Sequence, residues 1–370
     1  MKIVKVGVFP YQLKFRKPFK ITYETVSVAD IVLFRIETER GFVGYGSAAP
    51  DEKVTSESIA RVLEASILIQ PEFFVRGLQS IEDIYYYRDV LRKKFSELPS
   101  LRAAIEMALF DVLGKERQVS IKKLLQSLEA GCGPRIPHKD TMITIGIQDR
   151  ASTLREVKTR LKEGYRMIKL KCGLDLKEDL EKIKSVRALI PKNRKLALDA
   201  NQGYSFLEAR FLIDKLNALN IEFFEQPVHA DDHKALARLS AMGSIPIFAD
   251  EAAVSTEGAI TLLKKNYVDG VNIKLMKCGG FFDFLEIHRI ARKTGKKIMI
   301  GCMYESHLSL VAGAHLAFAL DLDYIDLDSG HLDFTNDPFA GGMTMRQGIL
   351  ILSERAYGLG VKPYHYPIFL

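Results

Sequence analysis

The sequence predicts an α/β protein in which a small α+β region precedes an eight-stranded parallel barrel. Three observations predict it. From about residue 140, short apolar runs recur at near-regular intervals. A segment of helical pattern fills each gap between them. The polar residues that break the apolar runs gather at their C-terminal ends, where an α/β barrel places its reactive groups.

Residues 1 to about 50 are rich in β-branched and aromatic side chains. Ile31-Val32-Leu33-Phe34 is an apolar run, Phe34-Arg35-Ile36-Glu37 alternates apolar and polar, and Gly41 marks a turn; together they predict an antiparallel sheet. Residues 56 to about 128 read as helical, and Ala103-Ala104-Ile105-Glu106-Met107-Ala108-Leu109 has the apolar spacing of a buried helix. The barrel strands are expected at Met142–Ile147, Met167–Lys171, Lys195–Asp199, Ile221–Glu225, Ile245–Asp250, Gly270–Lys274, Lys297–Cys302 and Tyr324–Asp328. Helix ends support the intervening segments. Ser205 with Glu208 makes a capping box ahead of Phe211, Leu212 and Leu216. Thr153 with Glu156 makes another, and Gly164 stops that helix.

Composition narrows the function classes. The chain has 370 residues with an ordinary 47% apolar content, which excludes a disordered protein. Its net charge is +7, yet Arg92-Lys93-Lys94, Lys264-Lys265 and Lys296-Lys297 lie far apart, so no nucleic-acid partner is expected. Cys132, Cys172, Cys278 and Cys302 form no Cys-x-x-Cys pair. The start, Met1 to Lys5, has no signal-peptide pattern, and the nearly apolar run Leu308 to Leu320 is too short to span a bilayer. A cytoplasmic protein with no membrane partner is expected. Gly279-Gly280 lacks the pattern of a dinucleotide-binding turn.

The strand ends carry the chemistry. Strand two ends in Lys169-Leu170-Lys171, strand three in Asp199-Ala200-Asn201, strand four in Glu225-Gln226-Pro227 and strand five in Asp250-Glu251. Strand six carries Lys274, and strand eight ends in Asp326-Leu327-Asp328. A single Asp at such a place is usually a helix cap, and a single Lys is usually solvated. Six such events on one barrel face need another reason, because buried charges are costly unless paired or used. Alternation puts Lys169 and Lys171 on one side of their strand. Asp199, Glu225 and Asp250, on three consecutive strands, form a set of hard oxygen donors suited to Mg²⁺. A metal beside a substrate carboxylate stabilises the charge formed when the α-proton leaves. Lys171 is a candidate base if Lys169 and the metal lower its pKa, and Lys274 faces it from across the barrel mouth. Isolated histidines (His229, His307, His331) are expected to be structural or exposed.

These residues resemble the enolase superfamily, and within it the muconate-lactonizing-enzyme subgroup. The resemblance covers nearly the whole chain. It rests on Lys-Pro-Phe-Lys at 17–20, Lys169-x-Lys171, Leu198-Asp-Ala-Asn-Gln-Gly203, Glu225-Gln-Pro227, Ala249-Asp-Glu251 and Asn272-Ile-Lys-Leu-Met-Lys-Cys-Gly-Gly280. It implies a (β/α)7β modified TIM barrel with an α+β capping domain. The expected division is a cap over 1–125, the barrel over 126–345, and a segment over 346–370 returning to the cap. Asp199, Glu225 and Asp250 would hold one Mg²⁺ per subunit, which Mn²⁺ can replace. Asn201 and Glu251 would support those carboxylates. Lys171 and Lys274 would be the acid/base pair, with Lys169 tuning Lys171. Two cap loops, around 18–28 and 48–58, would close over the site. A homo-oligomer is expected.

Within the subgroup, Asp326-Leu327-Asp328 resembles the Asp-x-Asp with which dipeptide epimerases bind a free ammonium group. It implies 1,1-proton transfer at the α-carbon of the C-terminal residue of a dipeptide, through an enediolate. The alternatives are an N-acylamino acid racemase or o-succinylbenzoate synthase, whose substrates have no ammonium, and a non-catalytic barrel binding a basic peptide or nucleic acid. Epimerases acting on Ala-Glu usually carry an arginine in the first cap loop, where this chain has Glu24 after Tyr23. With Asp51 and Glu52 in the second loop, Glu24 suggests a preference for cationic dipeptides. Tyr23, Met303 and Tyr304 would shape the pocket.

Overall fold

The computed structural model describes residues 1–129, 137–329, 333–353 and 356–364. Cys132 and His331 lie outside the described residues. The chain opens with an antiparallel sheet of β1 (Ile3–Lys20), β2 (Thr25–Thr38) and β3 (Val43–Ala48), in that order. Gly41, at φ +80°, turns β2 into β3. Four helices follow: α1 (Ile59–Ser66), α2 (Ile81–Lys94), α3 (Pro99–Glu116) and α4 (Ile121–Gln126). Helix α3 is buried on every side from Pro99 to Gly114, as its Ala-rich apolar run requires.

Two glycines of β3 let the sheet lie directly on α3. A Cβ on Gly46 would stand 1.8 Å from the Ala104 carbonyl oxygen, and one on Gly44 would stand 2.2 Å from that of Ala108. Backbone cannot yield as a flexible side chain can. Gly46→Ala is therefore expected to cost at least about 3 kcal/mol, the upper range for overpacking. A thermal midpoint close to that of the parent would refute this packing account.

The second half is a parallel sheet of eight strands in sequential order. After the short β4 (Lys139–Asp140) come β5 (Ile143–Ile145), β6 (Met167–Lys171), β7 (Lys195–Asp199), β8 (Phe224–Glu225), β9 (Ile247–Ala249), β10 (Gly270–Ile273), β11 (Lys297–Gly301) and β12 (Tyr324–Asp326). Between them run α5 (Arg150–Lys162), α6 (Leu176–Leu189), α7 (Phe206–Leu216), α8 (His233–Ser240), α9 (Thr256–Lys264), the short α10 (Leu275–Cys278) with α11 (Phe281–Thr294), and α12 (His307–Ala319). The ring nearly closes: Met142 N donates to Ile325 O at 3.0 Å, and Leu327 N donates to Thr141 Oγ1 at 3.1 Å. Helix α12 contains most of the long apolar run and is buried throughout, so that run serves the core. No helix among the described residues is long and apolar enough to cross a membrane.

Several expected elements differ in detail. The strands near the fourth and fifth positions are shorter than the apolar runs. The fourth still receives ladder bonds before its assigned start: Glu222 N donates to Leu196 O (2.8 Å) and Leu198 N to Phe223 O (3.0 Å). Pro246 has no N–H to donate, and β9 starts just after it. The helix assigned a Thr153–Glu156 box instead begins at Arg150, capped by Asp149, whose carboxylate accepts from Ser152 N. Asp149 is the stronger acceptor, and Thr153 Oγ1 donates back to the Asp149 carbonyl at 2.9 Å. The Ser205–Glu208 box is present, and Gly164 follows α5 at φ +97°.

Four further strands, β13 (Phe339–Gly341), β14 (Met343–Arg346), β15 (Ile349–Leu352) and β16 (Val361–Pro363), close the described chain. β15 pairs with β14 and β4, and β13 with β16. Gly358 bridges Ser120, and Leu359 N donates to Asp111 Oδ1 on α3 at 2.8 Å. From the barrel side, Asp283 of α11 accepts Arg88 and Arg102, while Glu106 of α3 accepts from Phe282 N at 3.0 Å. Sheet, helices and barrel thus share one apolar core.

Candidate active site

Period-two alternation along the barrel strands sorts the interior into layers. At the bottom Met142, Met167, Ala197, Phe223, Phe248, Met299 and Tyr324 form a separate apolar plug, with Phe223 and Phe248 stacked at 4.5 Å. Two residues further along several strands, the same face carries Lys169, Asp199, Glu225, Asp250 and Asp326. One step above Lys169 stands Lys171. The plug fills the barrel on one side of these charges, so they meet one another.

Each lysine is held by a carboxylate. Lys171 Nζ donates to Asp199 Oδ2 and to Asn201 Oδ1, both at 2.6 Å. Lys169 Nζ donates to Glu225 Oε2 at 3.1 Å and to Asp326, and lies 3.7 Å from Asp199 Oδ2. Lys274 Nζ donates to Asp250 Oδ2 at 2.9 Å. Burial disfavours the Lys169 ammonium, but Asp326, Glu225 and Asp199 outweigh it and hold its pKa well above the usual lysine range. Lys274 is raised in the same way, with Asp250 and Glu225 outweighing burial.

Two residues that sequence reasoning passed over complete the frame. Lys277 is fully buried and donates to the Asp250 carbonyl (2.7 Å), the Asn272 carbonyl (2.8 Å) and the Asp250 carboxylate. Asn272 Nδ2 donates to Glu225 Oε1 at 2.6 Å. Gly301 makes that possible, because a Cβ there would stand 2.3 Å from Asn272 Oδ1. The signal for both was present in the Asn272-to-Gly280 stretch, but a single Lys just after a strand is usually solvated. Backbone strain sits at the same strand ends: Asn201, Gln202 and Gln226 all have positive φ. Such residues cost about 1–3 kcal/mol each and persist where the surroundings demand them. Here Gln226 Oε1 accepts from both Asp250 N and Ala252 N at 3.0 Å, tying strand four to strand five.

The expected metal ligands are adjacent in the sheet. Asp199 and Glu225 are register partners, and Asp250 follows on the next strand. Their side chains are turned onto lysines, so among the described residues no three such groups form a ready cage. The donor set still fits Mg²⁺. Burial pushes Glu225 up to about 8 despite Lys169, and Asp199, Asp250 and Asp326 add to the rise. Three hard-oxygen side chains that raise one another's cost of ionisation are what a divalent cation relieves. Asp199 and Asp250, also opposed by burial, are held below the usual range by Lys171 with Lys169, and by Lys274 with Lys277. Glu251 is pushed up to about 7 by burial, Asp250 and Asp199; its Oε1 accepts from Asn201 Nδ2 at 3.0 Å and its Oε2 has no partner.

These groups surround one cavity of about 520 Å³, within the range of small-molecule sites. Lys169, Lys171, Lys274, Asp250, Asn201, Glu251, Asp326, Asp328, Tyr23, Glu24, Asp51, Met303 and Tyr304 all line it. Asp199 and Glu225 are fully buried behind the lysines. Strands β6 and β10 are four places apart in a ring of eight, so Lys171 and Lys274 approach the cavity from opposite sides. At the far end Asp328 Oδ2 accepts from Thr144 N at 2.5 Å; burial and Asp326 raise its pKa. Burial raises the Tyr23 hydroxyl too, with Glu251, Asp51, Asp250 and Glu24 adding to it.

The cap loops reach the cavity by specific contacts. Thr22 Oγ1 donates to the carbonyls of Cys172 (3.0 Å) and Ala200 (2.8 Å), pinning the first loop to the ends of strands two and three. In the second loop Asp51 Oδ1 accepts from Lys53 N (2.8 Å) and Val54 N (2.9 Å), so part of that carboxylate holds its own turn. Glu24 is paired with Lys53 at 3.0 Å, and Glu52 is exposed outside the main cavity. Glu24 and Asp51 thus line the main cavity together, while Glu52 joins them only on an adjoining outer cavity. Of the histidines, His229 is exposed, and His307 Nε2 contacts Gly341 O at 2.8 Å in the fold.

Comparison with known proteins agrees with this architecture. Residues 3–126 match the family described as mandelate racemase/muconate lactonizing enzyme, N-terminal domain, and residues 152–366 match enolase C-terminal domain-like. The hydrophobic dipeptide epimerase of Enterococcus faecalis is 33% identical over 98% of this chain and 100% of its own length. Its structure with Mg and the dipeptide L-Leu-L-Tyr superimposes with a TM-score of 0.90, covering 98% of this chain and 100% of that one. The N-succinyl-L-Arg/Lys racemase of Bacillus cereus is 30% identical over 98% and 95% of the two chains. The L-Lys-D/L-Arg epimerase of Desulforapulum autotrophicum is 32% identical over 98% and 99%. With both of its halves matched, and with the barrel and cap arranged as described, the chain belongs to the mandelate racemase/muconate lactonizing enzyme family of the enolase superfamily.

Proposed function

We propose that the protein is an isomerase that epimerises dipeptides at the α-carbon of the C-terminal residue. The observation that carries the reading is the pair Lys171 and Lys274, which face one cavity from opposite sides of the barrel. Two such groups suit removal of a proton from one face of a carbon and its return to the other. Asp199, Glu225 and Asp250 would hold Mg²⁺, supported by Asn201, Asn272, Lys277 and Glu251. When bound, that ion stabilises the charge the substrate carboxylate gains as the α-proton leaves.

The chain's own residues do the rest. Lys171 Nζ takes the α-proton on its side and Lys274 Nζ delivers one from the other, with the roles exchanged for the opposite enantiomer. Lys169 donates to both Glu225 and Asp326 and so places positive charge between them, beside Lys171. Asp328, with Asp326 behind it, receives the amino terminus of the dipeptide. Tyr23, Met303 and Tyr304 wall off water on the cap side. The cap over 1–125, the barrel over 126–345 and the segment over 346–370 are proposed as the working parts. The Gly358–Ser120 bridge supports the return of the last part to the cap.

A second reading, racemisation of N-succinylamino acids, is favoured by Arg16, Lys17 and Arg160 on the wall of the same cavity. Such cations suit a succinyl carboxylate. The test is incubation with Mg²⁺ in D₂O with L,L-dipeptides and, separately, with N-succinylamino acids, reading α-deuterium by mass spectrometry. Exchange at the C-terminal residue of dipeptides, abolished by EDTA and restored by Mg²⁺, is the expected result. Exchange confined to N-succinylamino acids would transfer the assignment to the racemase reading.

A further inference from the structure

We propose that Lys53 is an internal counter-ion that sets the side-chain selectivity of the site. The inference rests on the epimerase reading and names the device that chooses the C-terminal residue.

Lys53 Nζ lies 3.0 Å from Glu24 Oε2 and 3.2 Å from the Tyr23 carbonyl oxygen, and 5.1 Å from the centre of the Tyr23 ring. A carboxylate, a carbonyl and an aromatic face around one ammonium make a cradle for a cation. The cradle has two sides. Tyr23 and Glu24 line the reaction cavity, together with Asp51, Met303 and Tyr304. Lys53 does not line it; it lines an adjoining outer cavity of about 290 Å³. Glu24, Asp51, Met303 and Tyr304 border both cavities, so they are the wall between them. Lys53 thus fills from outside the cradle that a substrate side-chain ammonium would fill from inside.

The position of Lys53 is built. Asp51 caps the turn that presents it, through Lys53 N and Val54 N. Thr22 pins the opposing loop to the barrel. The Lys53 side chain is half exposed, so it can swing into water when displaced, whereas Glu24 is only 20% exposed and stays at the wall. With Lys53 in place, a neutral side chain packs beside a Glu24 that keeps its counter-ion. A lysine or arginine side chain must compete with Lys53 for Glu24. The site therefore discriminates less strongly in favour of cations than the sign of Glu24 implies, and Lys53 sets by how much.

The experiment compares steady-state kinetics of Lys53→Met, Lys53→Arg, Glu24→Gln and Lys53→Met/Glu24→Gln on dipeptides ending in Lys, Arg and Leu. Lys53→Met is expected to lower KM for the Lys- and Arg-terminated dipeptides by about fivefold relative to the Leu-terminated one, the upper range for a half-exposed ion pair. Lys53→Arg should behave as the parent, and the added Glu24→Gln should erase the gain. Equal changes of KM for charged and neutral dipeptides would make Lys53 only a loop latch and overturn the proposal. So would a gain that survives Glu24→Gln. If the parent turns over none of these dipeptides, the epimerase reading falls as well, and the two failures are told apart by that control.

Discussion

Alanine in place of Lys171 or Lys274 is expected to lower epimerisation by about 10²–10⁴-fold, the usual contribution of a positioned acid or base. The two variants should fail differently. Lys171 and Lys274 reach the cavity from strands β6 and β10, on opposite sides of the ring. Each therefore meets only one face of the α-carbon. An enzyme lacking one lysine still has a base for the enantiomer whose proton faces the other. In D₂O, one variant should retain deuterium exchange with the L-form and the other with the D-form, while neither interconverts them. Retention of near-parent epimerisation by either variant would remove that lysine from the reaction. Lys274→Ala also deprives Asp250 of one ammonium, but Lys277 remains on that carboxylate, so the fold is expected to persist.

Lys169→Met should be the most destabilising change in the barrel interior. Lys169 is 4% exposed, and its ammonium is shared among Asp326, Glu225 and Asp199. Removing one partner of a buried ion pair typically costs about 3–5 kcal/mol, because the remaining charge is left uncompensated. Methionine preserves most of the volume, so the loss reports charge and not a cavity. The measurement is the thermal midpoint with and without Mg²⁺. A large drop that Mg²⁺ partly reverses is expected, since a divalent cation would compensate the same carboxylates. A drop of less than about 1 kcal/mol would show that these acids tolerate the loss, and Lys169 would then be no keystone of the cluster.

Much of this site was legible along the chain. Met167, Lys169 and Lys171 alternate, so once the strand was recognised they had to share a face, and that face had to be interior. Asp199, Glu225 and Asp250 each end an apolar run, which fixes their height in the barrel without any coordinates. The Ser205–Glu208 box was legible because capping is a local event within four residues. The Thr153–Glu156 box was misread because Asp149, just upstream, competes better for the same N-terminal N–H groups.

Pairing of charges was not legible. Glu24, Asp51 and Glu52 look like an anionic cluster in the sequence; the folded loops bring Glu24 and Asp51 to the cavity wall, but they also give Glu24 to Lys53, turn part of Asp51 onto its own backbone and leave Glu52 on the outer cavity alone. Lys277 carries no sign in the sequence of what it pairs with, yet in α10 it is fully buried and donates to the Asp250 carbonyl. By itself, the amino-acid order determined the α/β barrel and the height of the strand-end charges in it, because periodicity and burial act over a few neighbouring residues. Only the tertiary structure decided which carboxylate each lysine holds and what stands at the mouth of the cavity, because an ion pair depends on distances between segments that the chain brings together only when folded.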